Sequence, residues 1–494
     1  MKSTNLIAFS VIALFAHFPA WAQSTEANIS TIQVNNLLIE TSRQGLVKNK
    51  YSAAEKNIAA LNSSGQTDVA KKLAAALITQ ISSDLVTGQI KADDLNNRSI
   101  VTPKKLQKSQ LDNIQKYING AITADELVNQ IKPTNPYYKK LVSVLQKYQE
   151  ISRLGQAVNA PATLSTIKAG VTDKGSVLYA RFRLNLLGYA NDVTNPNLSD
   201  DLTNAIKAFQ ENQNLSADGS MGSNTWKILN QDLSGQMTQL KISIDRTRWL
   251  PDDLGKDHVF VNLAQQKLKL YLNSALSLEF KTINGRLDRQ TPILFDKINY
   301  LLLNPTWTVP ENILLADKVP MFIKNPQKVI DLRMKVIDDL TDKELDPFTI
   351  DWTKVTEDNI PYTLVQQPGK HNALGFIKFP MTNPYSIYLH DTDSRNLFTN
   401  SNRLLSSGCV RLEKPFEFAE KVLSSTEWTI DRLRDSSENL NPEATSSTRV
   451  KLAKTIPVYL FYLTAIVNEK DQVVLASDSY EIDLTTYNLL IDKK

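Results

Sequence analysis

Apolar residues in the first third of the chain recur at the spacing of amphipathic helices. Over Val69–Leu85 they fall on every fourth position, which places them on one helix face. The same periodicity predicts shorter helices over Leu111–Ile118, Glu126–Ile131 and Tyr138–Ile151. We therefore predict a helical scaffold over residues 23–160. No grouping of reactive side chains marks this region.

Residues 175–232 have the pattern of a small, separate helical unit. Leu178, Phe182 and Leu186 form one apolar stripe, and Ser199 is suited to cap a second helix. A last short helix follows an Asp-Gly turn. This order of elements resembles the peptidoglycan-binding domain of cell-wall enzymes. A spacer without affinity for glycan is the alternative.

Residues 245–435 change to the alternating pattern of β strands, which is regular over Lys267–Asn273. Residues 311–360 interrupt this pattern with prolines, aromatic residues and a charged run over Lys328–Lys343. We predict a helical insertion there. Residues 447–494 return to strands, which are expected to pack back on the preceding domains.

The stretch Ile387–Leu412 contains the only cysteine of the chain, Cys409, together with His390. Imidazole is well suited to deprotonate a thiol at neutral pH. Alternation at period two puts Tyr388 and His390 on one face of a strand, and Cys409 and Arg411 on one face of the next. The pattern predicts a cysteine nucleophile with a histidine base. A buried structural cysteine is the alternative.

These residues resemble the catalytic motif of L,D-transpeptidases, the cysteine enzymes that crosslink peptidoglycan. The motif is a histidine, a spacer, and Ser/Thr-x-Gly-Cys-hydrophobic-Arg. Here His390 is followed by Ser406-Ser407-Gly408-Cys409-Val410-Arg411. Many members have histidine where this chain has Ser407. The resemblance implies a multidomain α+β protein with a helical scaffold, a three-helix peptidoglycan-binding-like domain and a mainly-β catalytic domain with a helical capping insertion.

The resemblance also implies roles for individual residues. Cys409 would attack a tetrapeptide stem at the bond to its terminal D-alanine, with His390 as the base, and a second stem would complete a 3→3 crosslink. The backbone carbonyl of Asp391 would hold the imidazole, and the N–H groups of Gly408 and Cys409 would form the oxyanion hole. The residues expected to bind substrate are Arg411, Tyr388, Ser407 and Asn372.

Three alternatives remain open at this stage. His371 is a rival base, although no adjacent motif residue associates it with the cysteine. The chain could be an L,D-carboxypeptidase or another cysteine hydrolase that uses water as the acceptor. It could also bind peptidoglycan without catalysis. A resemblance to enzymes that accept carbapenems implies that this thiol is a carbapenem target.

Composition and the N-terminal segment restrict location and partners. Among 494 residues the net charge is only +4, which does not favour a nucleic-acid partner. Lys2, the apolar run Leu6–Phe18 and Ala20-Trp21-Ala22 predict a signal peptide over residues 1–22, cleaved after Ala22. We therefore expect a periplasmic protein without a membrane span once processed. Its expected partners are peptidoglycan stem peptides and other wall-synthesis enzymes, and no cofactor or metal is expected.

Overall fold

The computed structural model describes residues 31–95, 99–153, 163–170, 173–213, 215–424, 426–438 and 447–491. The predicted signal peptide over residues 1–22 lies outside them. The described residues contain four hydrophobic cores, in the N-terminal helices, the small helical unit, a large β sheet and the insertion. This arrangement confirms the predicted multidomain α+β fold. None of the described helices combines the length and apolar character that a membrane span needs.

The N-terminal region is helical, as its periodicity predicted. Leu77, Ile81 and Leu85 are buried along one face of the longest helix. Thr123 caps another helix, because its hydroxyl accepts the Glu126 N–H and the Glu126 side chain returns to the Thr123 N–H. The α-helices of this region are Thr31–Arg43, Ser52–Ser63, Thr67–Thr87, Lys108–Ile118, Ala124–Ile131 and Pro136–Arg153, with short 3-10 turns at Lys48–Tyr51 and Ala92–Leu95.

Three helices form the small unit that begins near residue 175. They are Lys174–Leu186, Asp200–Asn212 and Ser223–Leu229, and the helix Leu233–Thr247 follows them. The predicted stripe of the first helix is wrong at Leu178, which is exposed, whereas Val177 and Leu184 are fully buried. This helix has apolar residues on more than one face, so its packing partners decide which face is covered.

The large sheet closes on itself and carries the predicted strand region. Its strand order is β11-β3-β12-β10-β9-β4-β13-β1-β2, and β2 also pairs with β3. The pairs β10–β12, β1–β13 and β3–β11 are parallel. The strands are β1 His258–Asn262, β2 Lys267–Leu272, β3 Ala275–Gly285, β4 Leu294–Leu303, β9 Ile377–Phe379, β10 Leu389–His390, β11 Leu404–Ser406, β12 Val410–Leu412 and β13 Thr448–Phe461. The helices Pro415–Val422 and Ile430–Glu438 follow β12, and Leu287–Arg289 and Arg395–Thr399 form 3-10 turns.

The C-terminal segment completes this sheet. β13 lies between β4 and β1, with Val458 opposite both Val259 and Asp296. The hairpin of β14 Ala465–Val467 and β15 Val473–Leu475 packs on two cores, that of the small helical unit and that of the large sheet. A final helix, Ile482–Leu490, was not predicted.

The insertion is only partly helical, which corrects the expected helix over Lys328–Lys343. Met334 and Val336 point into the insertion core, while the residues between and after them are less buried. This alternation is that of a strand, which covers Met334–Asp338. Its sheet has the order β5-β8-β6-β7. These strands are β5 Trp307–Thr308, β6 Met334–Asp338, β7 Glu344–Leu345 and β8 Tyr362–Gln366. The helical segments are Glu311–Ile313, Leu314–Lys318, Val319–Lys324 and Gln327–Asp331, with a 3-10 turn at Trp352–Lys354.

Candidate active site

Two short parallel strands bring the predicted base and nucleophile to one cavity. β10 and β12 pair with Leu389 opposite Val410 and His390 opposite Arg411. Leu389 and Val410 are fully buried in the core of the closed sheet. His390 and Arg411 therefore point to the other face, because successive side chains alternate. Cys409 directly precedes β12 and lines the same cavity as His390.

The histidine strand keeps the predicted alternation but is shorter than expected. Tyr388 and His390 share a face, and their ring centroids are 5.6 Å apart. β10 contains only Leu389 and His390. Ser386 has a φ of 53°, a left-handed conformation that a regular strand does not contain. Of the two residues predicted to share a strand face, Tyr388 and His390, only His390 lies within β10.

The imidazole of His390 is held in one tautomer. Its Nδ1 lies 2.5 Å from the backbone carbonyl oxygen of Asp391. A carbonyl only accepts, so Nδ1 carries the proton and Nε2 keeps its lone pair. Burial and the neighbouring charge of Arg411 lower the pKa of His390 to about 3. The ring is therefore a neutral base at physiological pH.

The thiol of Cys409 is also neutral at rest. Burial raises its pKa to about 11, although the Tyr388 N–H and nearby cations act in the opposite direction. The Sγ atom lies 3.5 Å from the carbonyl oxygen of Ser386. No hydrogen bond joins Cys409 to His390 among the described residues. Such catalytic contacts often form only when substrate is bound.

The backbone before the nucleophile is fixed by two hydroxyl groups. Gly408 has a φ of 118°, which glycine adopts without steric cost. Its N–H donates to Ser406 Oγ at 3.2 Å, and its carbonyl accepts from Thr291 Oγ1 at 2.7 Å. Since the Gly408 N–H is already occupied, its predicted role in the oxyanion hole is disfavoured. The N–H of Cys409 is left as the candidate donor.

Arg411 presents a partly buried cation to the cavity. Its Nε is buried without a hydrogen-bond partner among the described residues. Burial lowers the pKa of Arg411, while Asp393 and Cys409 act against this shift. A guanidinium group that lines the cavity beside the thiol is suited to bind a carboxylate with two parallel hydrogen bonds.

The insertion forms part of the cavity wall. The cavity has a volume of about 330 Å³, and Asp317 and Lys318 of the insertion line it. Asp317 forms a salt bridge of 2.7 Å with Arg289. Arg289 in turn donates to Ser407 Oγ at 3.2 Å. Ser407 is therefore linked to the insertion, a connection that the sequence did not reveal because Asp317 belongs to no recognisable motif.

Asn372 is a structural residue, which corrects its expected role in substrate binding. The side chain is buried and does not line the cavity. Its Nδ2 donates to the carbonyl oxygens of Pro305 and Gln367 at 3.1 and 2.9 Å, and its Oδ1 accepts the Leu374 N–H at 2.8 Å. All three of these hydrogen bonds are made with backbone groups of the protein. Leu374, its neighbour, reaches the cavity instead.

The other two described histidines do not line the cavity. His371 is exposed. His258 stacks on Tyr271 with ring centroids 4.7 Å apart, and its Nδ1 contacts the Gly255 carbonyl oxygen at 2.8 Å. Neither is positioned to receive a proton from Cys409, so His390 remains the candidate base.

Comparisons with known proteins relate two regions of the chain to described families. Residues 256–434 match the family model of the L,D-transpeptidase catalytic domain. Residues 175–229 match the family described as "Putative peptidoglycan binding domain". The predicted resemblance is confirmed for these residues: residues 256–434 are similar to the catalytic domain of L,D-transpeptidases.

A curated protein of Haemophilus influenzae, named "Putative L,D-transpeptidase", is 33% identical over 245 residues. The match covers 50% of this chain and 48% of that protein, so the chain spans about half the length of this relative. The crystal structure of an L,D-transpeptidase from Stackebrandtia nassauensis has a TM-score of 0.26 and 13% identity, covering 61% of this chain and 97% of that chain. An L,D-transpeptidase structure from Xylanimonas cellulosilytica has a TM-score of 0.17 and 12% identity, covering 61% and 100%.

The loop before β9 is expected to tolerate no side chain at Gly375. A Cβ atom there would lie 2.4 Å from Cγ of Asp391, the residue whose carbonyl holds His390. Gly375→Ala should therefore lower the free energy of unfolding by about 1–3 kcal/mol more than Gly255→Ala. Both glycines have positive φ, but a Cβ at Gly255 would meet only Asp257 O at 3.5 Å. Equal losses in urea unfolding of the two variants would contradict this reasoning.

Proposed function

We propose that the protein is an L,D-transpeptidase that forms 3→3 peptidoglycan crosslinks through a Cys409 acyl-enzyme. The observation that supports this best is the parallel pairing of β10 with β12, which gathers His390, Cys409 and Arg411 around one cavity. The family matches support action on peptidoglycan. We also propose that the chain acts in the periplasm, where the wall is built.

In the first step the Cys409 thiol transfers its proton to Nε2 of His390 as Sγ attacks the carbonyl of the third stem residue. A bond forms between sulfur and carbon, and the carbonyl electrons move to oxygen. The N–H of Cys409 is the candidate donor to this oxyanion. Collapse of the intermediate breaks the amide bond, and the imidazolium returns the proton to the departing D-alanine amine.

In the second step the side-chain amine of another stem attacks the thioester. His390 takes a proton from this amine, the carbon–sulfur bond breaks, and the imidazolium returns the proton to sulfur, which regenerates the Cys409 thiol and the neutral imidazole. The nearby insertion wall restricts the cavity around the thioester, which would favour an amine held in place over free water. Hydrolysis of the thioester would give the alternative, an L,D-carboxypeptidase.

Arg411 is the candidate anchor for a stem carboxylate. The guanidinium lines the cavity, and its Nε has no hydrogen-bond partner among the described residues. Substrate would therefore provide the hydrogen-bond acceptor that this nitrogen lacks. Tyr388 lines the same wall and is proposed to contact the stem as well.

The direct test of the proposed function is product analysis by mass spectrometry. Purified protein incubated with disaccharide-tetrapeptide should yield a crosslinked dimer and one equivalent of free D-alanine, and Cys409→Ala should yield neither. D-alanine release without dimer would identify the carboxypeptidase. An inert wild-type protein that still sediments with peptidoglycan would leave only a binding protein.

His390→Ala should slow acylation of Cys409 by a carbapenem about a hundredfold or more at pH 7, the scale of a lost general base. The pH dependence should change too. With the pKa of His390 lowered to about 3 and that of Cys409 raised to about 11, base-assisted acylation should be level between about pH 5 and 9. The variant depends on free thiolate, so its rate should rise with pH.

Intact-protein mass spectra against time measure both profiles, because the chain has a single thiol. His371→Ala is the matched control and should acylate at the wild-type rate. A normal rate in His390→Ala together with an inactive His371→Ala would mean that the base has been assigned wrongly.

Arg411→Lys should reduce kcat/KM for the tetrapeptide donor about tenfold, although the positive charge is kept. An ammonium cannot reproduce the two parallel hydrogen bonds of a guanidinium with carboxylate. Amidation of the donor's terminal carboxylate removes the same contact. It should therefore reduce kcat/KM much less in Arg411→Lys than in the wild type. Unchanged kcat/KM with the free acid would exclude the carboxylate contact.

A further inference from the structure

Three basic side chains occupy adjacent strands in one row across the closed sheet. In β9, Lys378 lies directly opposite His390 of β10, and His390 lies directly opposite Arg411 of β12. Directly opposed residues project from the same face of a sheet. The neighbours in the next row, Phe379, Leu389 and Val410, are all buried in the core on the other face. The imidazole therefore stands between two cations.

Lys378 is held in this row by an aromatic ring. Its Nζ lies 3.9 Å from the centroid of the Tyr388 ring, within the range of a cation–π contact. Tyr388 also contacts the His390 ring and lines the cavity. No described carboxylate forms a salt bridge with Lys378. Burial lowers the pKa of Lys378, and the proximity of Cys409 opposes that shift.

The charged groups around the pair come from several elements. Lys378 faces it from β9 and Arg411 from β12, and both lower the pKa of His390 and of Cys409. Asp393 acts on Arg411 from the loop after β10. The other ionisable groups at the cavity are Tyr385, Tyr388, Arg286, Asp317 and Lys318.

The Asp391 carboxylate is occupied elsewhere. It accepts from Arg395 Nη2 at 2.6 Å and from the Phe376 N–H at 2.9 Å. Lys378 and Arg411 are thus the two cations in line with the imidazole. Only Arg411 lines the cavity, so a bound stem carboxylate would neutralise Arg411 and not Lys378.

We propose that Lys378 is a positioning residue of the proposed reaction: its charge, fixed on the Tyr388 ring and opposite His390, stabilises the Cys409 thiolate and disfavours imidazolium. Lys378 acts through these two groups and does not contact substrate. This role rests on the proposed function of the cavity. It explains why a lysine stands beside a histidine and a thiol where no described acid pairs with it.

If Lys378 had only a structural role, its replacement would change the pKa of the Cys409 thiol in the opposite direction from the loss of its charge. Loss of a cation raises the pKa of a neighbouring thiol, so less thiolate is present at a given pH. Loss of packing would expose the thiol to water, and its raised pKa would fall toward the ordinary value near 8.5. Thiol reactivity therefore separates charge from packing.

The test is alkylation of folded full-length protein by iodoacetamide at pH 8, 8.5 and 9. The thiolate displaces iodide, a carbon–sulfur bond forms, and the single cysteine makes the product unambiguous. Lys378→Met keeps the bulk of the side chain without its charge. A thiol pKa raised by about one unit lowers the thiolate fraction tenfold but makes the thiolate more nucleophilic. The expected net effect is alkylation slowed about threefold at each pH.

Lys378→Arg should restore the wild-type rate within about twofold, because it also places a cation over the ring. The control is Lys297→Met. Lys297 is an exposed lysine of β4, five positions along the strand from Leu302, the residue opposite Lys378. Lys297→Met should be alkylated at the wild-type rate.

An unchanged or faster rate in Lys378→Met with an unchanged Tm would overturn the proposal. If that variant has a lowered Tm, the test is repeated with Lys378→Gln, which keeps a polar end group. Alkylation is expected to be slowed in this variant as well. Iodoacetamide requires no transpeptidase activity. A negative product analysis would therefore count against the proposed function without altering this result, and a normal alkylation rate would count against the role of Lys378 alone.

Discussion

The register of β10 against β12 is the constraint on which the site depends. Leu389 and Val410 fix this register because both are fully buried in the core of the closed sheet. A shift by one residue would bring His390 and Arg411 into that core and expose two apolar side chains. The chemistry at the cavity is therefore maintained by hydrophobic burial on the opposite face. No hydrogen bond between Cys409 and His390 contributes to it in this state.

The electrostatic character of the site follows from the same arrangement. Burial raises the pKa of Cys409 and lowers that of His390, so both groups are uncharged at rest. A thiolate–imidazolium pair would be formed only as substrate binds. The cations in line with the imidazole reinforce the neutral state of His390, since each makes a third positive charge unfavourable, whereas they favour the thiolate of Cys409.

Much of this organisation could be predicted from sequence, and the failures have physical causes. The motif around Cys409 and the alternation at Tyr388 and His390 are local signals, and the structure keeps both on one cavity. Asn372 was assigned by its place in a loop, but the direction of its amide depends on the carbonyls of residues that fold beside it. Lys378 was missed because its role arises from pairing between strands, which no local pattern records.

The position of β13 has a consequence for how the chain acquires its structure. The strand over residues 448–461 fills the gap between β1 and β4, although it is made after every other strand of the closed sheet. Until it arrives, β1 and β4 each present a row of unpaired backbone groups, which are open to pairing with other chains. The ring of strands beneath the cavity can close only once this late segment is present to pair with both neighbours. Contacts between residues so distant in sequence form slowly. Closure of the sheet is thereby tied to its last strand in sequence, and a chain that ends before residue 448 would hold Cys409 in an open sheet.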